Sequence, residues 1–344
     1  MQKRSWHFSK PKSYRKGTLP ISTRTRDVIT FGETMWRLSP PGFSRIEEAV
    51  TLDVRIGGSE SNTAVALSRL GVDAAWWSKL PANALGRRIE NEIRRWGIDT
   101  SHVLWDTQTE ARAGLYFVDF GVPPRATDVL YDRARSSACT LIPEEIAVEP
   151  IATSRLLHVT GITCALSDSC ASAVTHAVQI AKANGTKVSF DVNYRSKLWL
   201  PQKAEQVLSA LLPQIDLLLC PLSDAQILFG MAGSGEEIAH QFRDRFGIPS
   251  VVITCGGEGA RATDDSGYWS ASAYELGNIV DRIGAGDAFD AGVLYGYLQG
   301  DLQLGMEYGS AMAALKHTIP GDLLLATRTE IEAVLQGSTG GVKR

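Results

Sequence analysis

Cysteine is sparse and scattered in this sequence: Cys139, Cys164, Cys170, Cys220 and Cys255 are odd in number and contain no C-x-x-C pair. Neither a disulfide framework nor a zinc site fits that pattern, and reduced thiols in a cytoplasmic protein are the simplest reading. No apolar run approaches the roughly 18 residues of a membrane-spanning helix, and the first residues have no apolar signal core, so no membrane partner is expected. The six histidines lack H-x-x-x-H and H-E-x-x-H spacing, and no G-x-S-x-G elbow occurs. Zinc-hydrolase and α/β-hydrolase readings therefore have no support. P-loop and dinucleotide-binding readings also fit poorly, because there is no G-x-x-x-x-G-K-[ST] loop and no G-x-G-x-x-G after the first strand pattern.

Acidic residues are missing from positions 1–26, which carry eight Lys and Arg and leave 27 basic against 38 acidic residues elsewhere. This basic arm has no hydrophobic periodicity, so it reads as a solvated extension, and nucleic acid is not an expected partner. What remains is ordinary for a globular enzyme. The chain has 344 residues, 44% hydrophobic and 21% charged, enough for one large α/β domain or two smaller ones.

From Asp27 onward, short β-rich runs alternate with helical stretches, the pattern of a mostly parallel sheet joined by crossover helices. Strands are predicted at Val28 to Phe31, Leu156 to Val159, Val188 to Asp191, Leu217 to Cys220 and Val251 to Thr254. Helices are predicted at Ser61 to Leu70, Leu85 to Trp96, Ser169 to Ala183, Lys203 to Leu211, Ala225 to Gly230, Glu236 to Phe246, Ala288 to Gln299 and Gln303 to Lys316. Residues 36–56 and 103–133 break this rhythm and are expected to pair as a small separate sheet. One domain over 27–335 and a frayed tail over 336–344 complete the expected organisation. Trp76, Trp77, Trp96 and Trp199 read as packing residues.

The strongest chemical signal is Asp281-Arg282-Ile283-Gly284-Ala285-Gly286-Asp287 at the start of a predicted helix. Two glycines let a ligand approach the main chain, and unpaired amides at a helix start attract an anion. A carboxylate at that point suits a general base beside a transferring phosphoryl group, although an Asp serving the helix dipole would look the same. Gly256-Gly257-Glu258-Gly259-Ala260 follows the strand ending at Thr254, where either a nucleotide edge or a hairpin turn would use such glycines. Gly57-Gly58-Ser59-Glu60-Ser61-Asn62 can present amides and the Asn62 side chain to a polyhydroxylated ligand, or form a glycine turn entering a helix. Arg133 and Arg195 could address an anionic ligand, or form surface ion pairs.

Taken in order, Gly-Gly-Ser-Glu-Ser-Asn, Asp191-Val192-Asn193-Tyr194-Arg195 and Gly-Ala-Gly-Asp-Ala-Phe resemble the ribokinase-like (PfkB) sugar kinases over about residues 27–335. Asp191-x-Asn193-x-Arg195-x-x-Leu198-Trp199, Leu157 to Thr163 and Lys316 to Asp322 are most similar to the 2-keto-3-deoxygluconate kinases. The resemblance implies a Rossmann-like, mostly parallel sheet flanked by helices with a small β-lid. It implies ATP and Mg2+, allows a monovalent cation, and implies transfer to the C6 hydroxyl of 2-keto-3-deoxygluconate. Asp287 would be the base, and the amides of Gly284, Ala285 and Gly286 the anion hole. Gly58, Asn62, Tyr116, Tyr131, Arg133, Arg195 and Asp322 would line the sugar-acid site. Thr254, Gly256, Gly257, Gly259, Ala260 and Ser310 would border the nucleotide.

The sequence also departs from the family. Pro221-Leu222-Ser223-Asp224 stands where Asn-x-x-Glu is usual, leaving Asp224 as the acid for Mg2+ and the nucleotide. Arg282 and Pro81-Ala82-Asn83 replace the usual residues at two other turns. A kinase for another sugar, or a sugar-binding homologue with weakened catalysis, are the competing readings. Homo-oligomers formed through the lid are expected by family likeness, with apolar residues of 114–120 exposed.

Overall fold

The computed structural model describes residues 24–337. Most of the basic arm and of the tail therefore lies outside the described residues. Arg24 and Arg26 do not belong to an extension: Arg24 donates to the carbonyls of Ser154 and Gly185, and Arg26 opens the first strand.

The strands are β1 (Arg26–Phe31), β2 (Met35–Ser39), β3 (Asp53–Gly57), β4 (Ala74–Trp77), β5 (Lys79–Pro81), β6 (Leu104–Asp106), β7 (Leu115–Asp119), β8 (Asp128–Asp132), β9 (Ser154–Thr160), β10 (Lys187–Asp191), β11 (Leu217–Pro221), β12 (Ser250–Thr254), β13 (Ala260–Thr263) and β14 (Tyr268–Ala271). Eight form the main sheet in the order β14-β13-β12-β11-β10-β9-β1-β4. Its strands run parallel from β12 to β4, and only the β13 and β14 edge is antiparallel.

Helices α1 (Ser59–Arg69), α2 (Ala84–Arg94), α3 (Val148–Ala152), α4 (Gly161–Ala165), α5 (Asp168–Asn184), α6 (Pro201–Leu211), α7 (Leu222–Phe229), α8 (Gly235–Phe246), α9 (Ala285–Gln299), α10 (Leu302–Lys316) and α11 (Arg328–Leu335) complete the described elements. Side chains alternate across a strand, and the buried runs use both faces. Ile29, Leu157, Leu218 and Ile253 pack with α5, α6, α7 and α8. Their neighbours Val28, Leu156, Leu217 and Val252 pack with α1, α9, α10 and α11. Trp76 and Trp77 are fully buried, as their packing role requires.

Residues 36–56 and part of 103–133 do meet, in a four-stranded sheet of order β3-β2-β7-β8. Leu104–Asp106 departs from the expectation and pairs with Lys79–Pro81 instead. Within the small sheet, Val54, Leu38, Phe117 and Leu130 stand in one cross-strand row. Val54 and Leu130, at its ends, are exposed. The expected exposure of residues 114–120 is overturned: Tyr116 and Val118 are buried against Met35 beside Ile283, and Leu115, Phe117 and Phe120 are half-buried.

Two close approaches set the positions of functional elements. A Cβ at Gly58 would lie 2.1 Å from the Glu33 carbonyl oxygen, so α1 begins against the chain leaving β1 only because that residue is glycine. A Cβ at Gly292 would lie 2.2 Å from the Gly309 nitrogen, so α9 and α10 pack main chain to main chain.

Candidate active site

The carboxyl ends of β10, β11 and β12 open into a cavity of about 740 Å3 shared with the small sheet. In open α/β sheets this is where ligands bind. Asp287 lies in the first turn of α9 and faces the cavity, yet is only 8% exposed. Ser59 Oγ donates to its Oδ1 at 2.7 Å, and Asn62 Nδ2 donates to its Oδ2 at 2.7 Å. Burial pushes the Asp287 carboxyl above its ordinary range, and these two hydrogen bonds pull it back. The result is a fixed, partly desolvated carboxylate, a form suited to accepting a proton.

Gly284 caps α9 with φ of 86°, and a Cβ there would lie 2.0 Å from the Asp322 carbonyl oxygen. A Cβ at Gly286 would meet nothing within 4 Å, so the amide edge of the first turn stays open. Gly284 and Gly286 line the cavity; Ala285 does not, and its side chain is buried. Its main-chain amide donates to the Arg282 carbonyl at 3.3 Å, closing the turn that enters α9.

Gly58, Asn62, Tyr116, Tyr131, Arg133, Arg195 and Asp322 all border the same cavity. Tyr116 donates to Asp322 Oδ2 at 2.6 Å and stacks on Tyr131 with ring centroids 5.9 Å apart. The two arginines are not equivalent. Arg133 is buried, and its Nε donates to Glu33 Oε2 at 2.9 Å, with Nη2 on the same oxygen and Ser136 Oγ on Oε1. Arg195 is exposed at the cavity and forms no ion pair among the described residues. Of the two, it is the cation available to an incoming anion.

At the other end, Asp224 and Thr254 line the cavity. Asp224 accepts the Tyr194 amide at 2.9 Å, and burial raises its carboxyl. Mg2+ is commonly held through one or two carboxylates together with phosphates and water. One cavity-facing carboxylate therefore fits that ion. The structure does not bring Gly256, Gly257, Gly259, Ala260 or Ser310 to this cavity. The glycines form the connection between β12 and antiparallel β13, which is the hairpin alternative. Ala260 is in the core and Ser310 is buried on α10.

Several residues of the site carry no local sequence signal. Glu33 holds Arg133. Arg37, 1% exposed on β2, bridges Asp281 and Asp322. Asp290, one turn beyond Asp287, stands beside Asp191. Burial and the neighbouring Asp287 push Asp191 to about 7, while burial and Asp191 push Asp290 well up. Asn193, at φ of 38°, ties this pair to the Ser59–Asp287 bond, since its Nδ2 donates to Asp191 Oδ2 at 2.7 Å and to Ser59 Oγ at 3.2 Å.

A doubly covered parallel sheet with a buried carboxylate at an open glycine-bounded helix start, under a small sheet that brings hydroxyls and arginines, defines a small-molecule phosphotransferase. Comparison with known proteins makes the class specific. Residues 25–326 match the pfkB family carbohydrate kinase profile. The 2-dehydro-3-deoxygalactonokinase of Haloferax volcanii is 40% identical over 321 residues, covering 93% of this chain and 100% of that protein. The 2-dehydro-3-deoxygluconokinase of Bacillus subtilis is 32% identical, with 90% and 95% covered. The crystal structure of the 2-dehydro-3-deoxygluconokinase of Thermotoga maritima superposes with a TM-score of 0.86 at 33% identity, over 91% of this chain and 98% of that one. The chain belongs to the PfkB family of carbohydrate kinases, ATP-using phosphotransferases with an alcohol group as acceptor. Among the described residues no helix is long and apolar enough to cross a membrane.

Proposed function

We propose that this kinase is a cytoplasmic enzyme that transfers the γ-phosphoryl group of ATP to the C6 hydroxyl of 2-keto-3-deoxygluconate. The observation that carries the reading is Asp287, fixed by Ser59 and Asn62 in a cavity where Arg195, like Arg282 beside the glycine turn, is exposed and forms no ion pair among the described residues. A linear sugar acid needs a cationic group for its carboxylate, and Arg195 supplies it. Tyr131 and the Tyr116–Asp322 pair face its hydroxyl groups. Asp287 takes the proton of the attacking hydroxyl, and the amides of Gly284 to Gly286 receive the charge of the transferring group.

ATP enters the cavity from the Thr254 side. Asp224 would hold Mg2+ there with the nucleotide phosphates, and the ion supplies charge neutralisation.

The 40% identity to a 2-dehydro-3-deoxygalactonokinase favours a second reading, in which the C4 epimer is the better substrate. The exposed ends of the Val54-to-Leu130 row support self-association through the small sheet, which light scattering of the purified chain would test.

The deciding measurement is coupled ADP release with Mg-ATP against both keto-deoxy acids, ribose, fructose and gluconate, with Asp287→Asn as the blank. Turnover confined to the keto-deoxy acids is expected, and their ratio decides between the epimers. Equal or better turnover of a neutral sugar would overturn the reading. No turnover by folded protein would instead favour a sugar-binding homologue weakened at Pro221 to Asp224.

A further inference from the structure

Lys316, the last residue of α10, is fully buried and forms no ion pair among the described residues. Its Nζ donates to two main-chain carbonyls, Ile319 O at 2.9 Å and Asp281 O at 3.4 Å. An ammonium taken out of water without a paired carboxylate is expensive, so such a placement needs a compensating polar cage. Here the cage consists of two segments that build the anion loop. Asp281 opens the turn leading to Gly284, and Ile319 lies three residues before Asp322, whose carbonyl packs against Gly284.

Other bonds gather the same two segments. His317 O accepts the amides of Val280 and Asp281. Asp281 Oδ1 accepts the Ile283 amide at 3.0 Å, and its Oδ2 accepts the Gly321 amide at 2.9 Å. The carbonyls of Asp281 and Ile319 are left converging on one buried point. Converging carbonyl dipoles there require positive charge, from either a desolvated ion or a tethered donor. Lys316, which has donors and no acceptor, already occupies the point. A free monovalent cation on these carbonyls would sit against the ammonium, where like charges a few ångströms apart repel strongly in a low-dielectric interior. The monovalent cation allowed by family likeness therefore does not fit at this place.

We infer that the Lys316 ammonium is a built-in cation that orders the Asp281-to-Gly284 loop, so that this protein takes no dissociable monovalent ion there. Lys316 is a positioning residue. It touches neither substrate nor the reacting atoms.

The test is a comparison of wild type and Lys316→Met in potassium, ammonium and tetramethylammonium chlorides at equal ionic strength, read by thermal unfolding and by turnover. Wild type should melt and turn over alike in all three salts. The variant should melt about 5 °C or more below wild type in tetramethylammonium, and regain half or more of that loss, saturably, in potassium or ammonium. Wild type whose melting or turnover rises saturably with potassium would overturn the inference. So would a variant that melts like wild type, or one whose loss is the same in every salt. The wild-type arm stands even if the variant fails to fold. The melting readout stands even if no sugar is phosphorylated, which separates this inference from the substrate reading above.

Discussion

Arg37 Nη1 donates to Asp322 Oδ1 at 2.5 Å, in a buried pair that joins strand β2 of the small sheet to the segment behind the anion loop. Its Nη2 reaches Asp281 across the same space, and the Tyr116 hydroxyl takes the second Asp322 oxygen. One guanidinium thus connects the small sheet to both segments that flank Gly284. Removing it would leave two carboxylates buried without their cation. Arg37→Met is expected to lower stability by about 3–5 kcal/mol, the usual cost of breaking a buried pair from one side. Denaturant unfolding would measure it, and a loss below about 1 kcal/mol, the range of a surface pair, would show that the network is solvated.

Ser59 acts directly on Asp287, the proposed base. Its hydrogen bond favours the charged form of Asp287, so Ser59→Ala raises that carboxyl further. The acidic limb of the kcat profile should then move to higher pH, with KM little changed. A profile that keeps its wild-type position would mean that Ser59 does not tune the base.

Arg195 and Arg133 should separate cleanly on substitution. Because Arg195 is exposed and forms no ion pair among the described residues, Arg195→Ala should leave the melting temperature near wild type. It should raise KM for a keto-deoxy acid by roughly 10- to 100-fold, the value of a charge-assisted pair. Arg133→Ala strands Glu33 in the interior and should lower stability as well. An unchanged KM in the Arg195 variant would remove that residue from carboxylate recognition.

Glu60 carries a pH dependence of its own. It is 1% exposed, accepts the hydroxyls of Thr160 and Thr163, and is pushed to about 7 by burial. An acid raised on folding stabilises the fold below its unfolded value, and that contribution is lost as pH rises through the folded value. Stability should therefore fall between about pH 4.5 and 7. Glu60→Gln, which keeps an acceptor and cannot ionise, should flatten that decline in melting temperature. An identical slope in both proteins would show that Glu60 stays charged or gains water.

The parallel strands were legible chiefly because β11 and β12 are apolar runs buried on both faces. The glycines at 284 and 286 were legible because an open helix start leaves few alternatives. Ala74–Trp77 was hidden as a strand because two adjacent tryptophans read only as packing residues. Ala260–Thr263 and Tyr268–Ala271 were hidden because four-residue strands of mixed small, polar and aromatic residues lack a strong period. Arg37 could not be read at all, since its partners Asp281 and Asp322 lie 244 and 285 residues away and only the fold brings them together. Arg133 was placed at the cavity as expected. Its engagement by Glu33 depends on the turn after β1, and nothing local to either residue signals it.

The glycine-to-glycine seam between α9 and α10 determines which part of this enzyme can move. Two helices meeting main chain to main chain have no side-chain cushion to absorb a slide, so α9, with Asp287 in its first turn, is expected to move with α10 as one piece. Any closure over the proposed substrate would then be the work of the small sheet. Variants that stiffen that sheet should slow product release before they affect phosphoryl transfer.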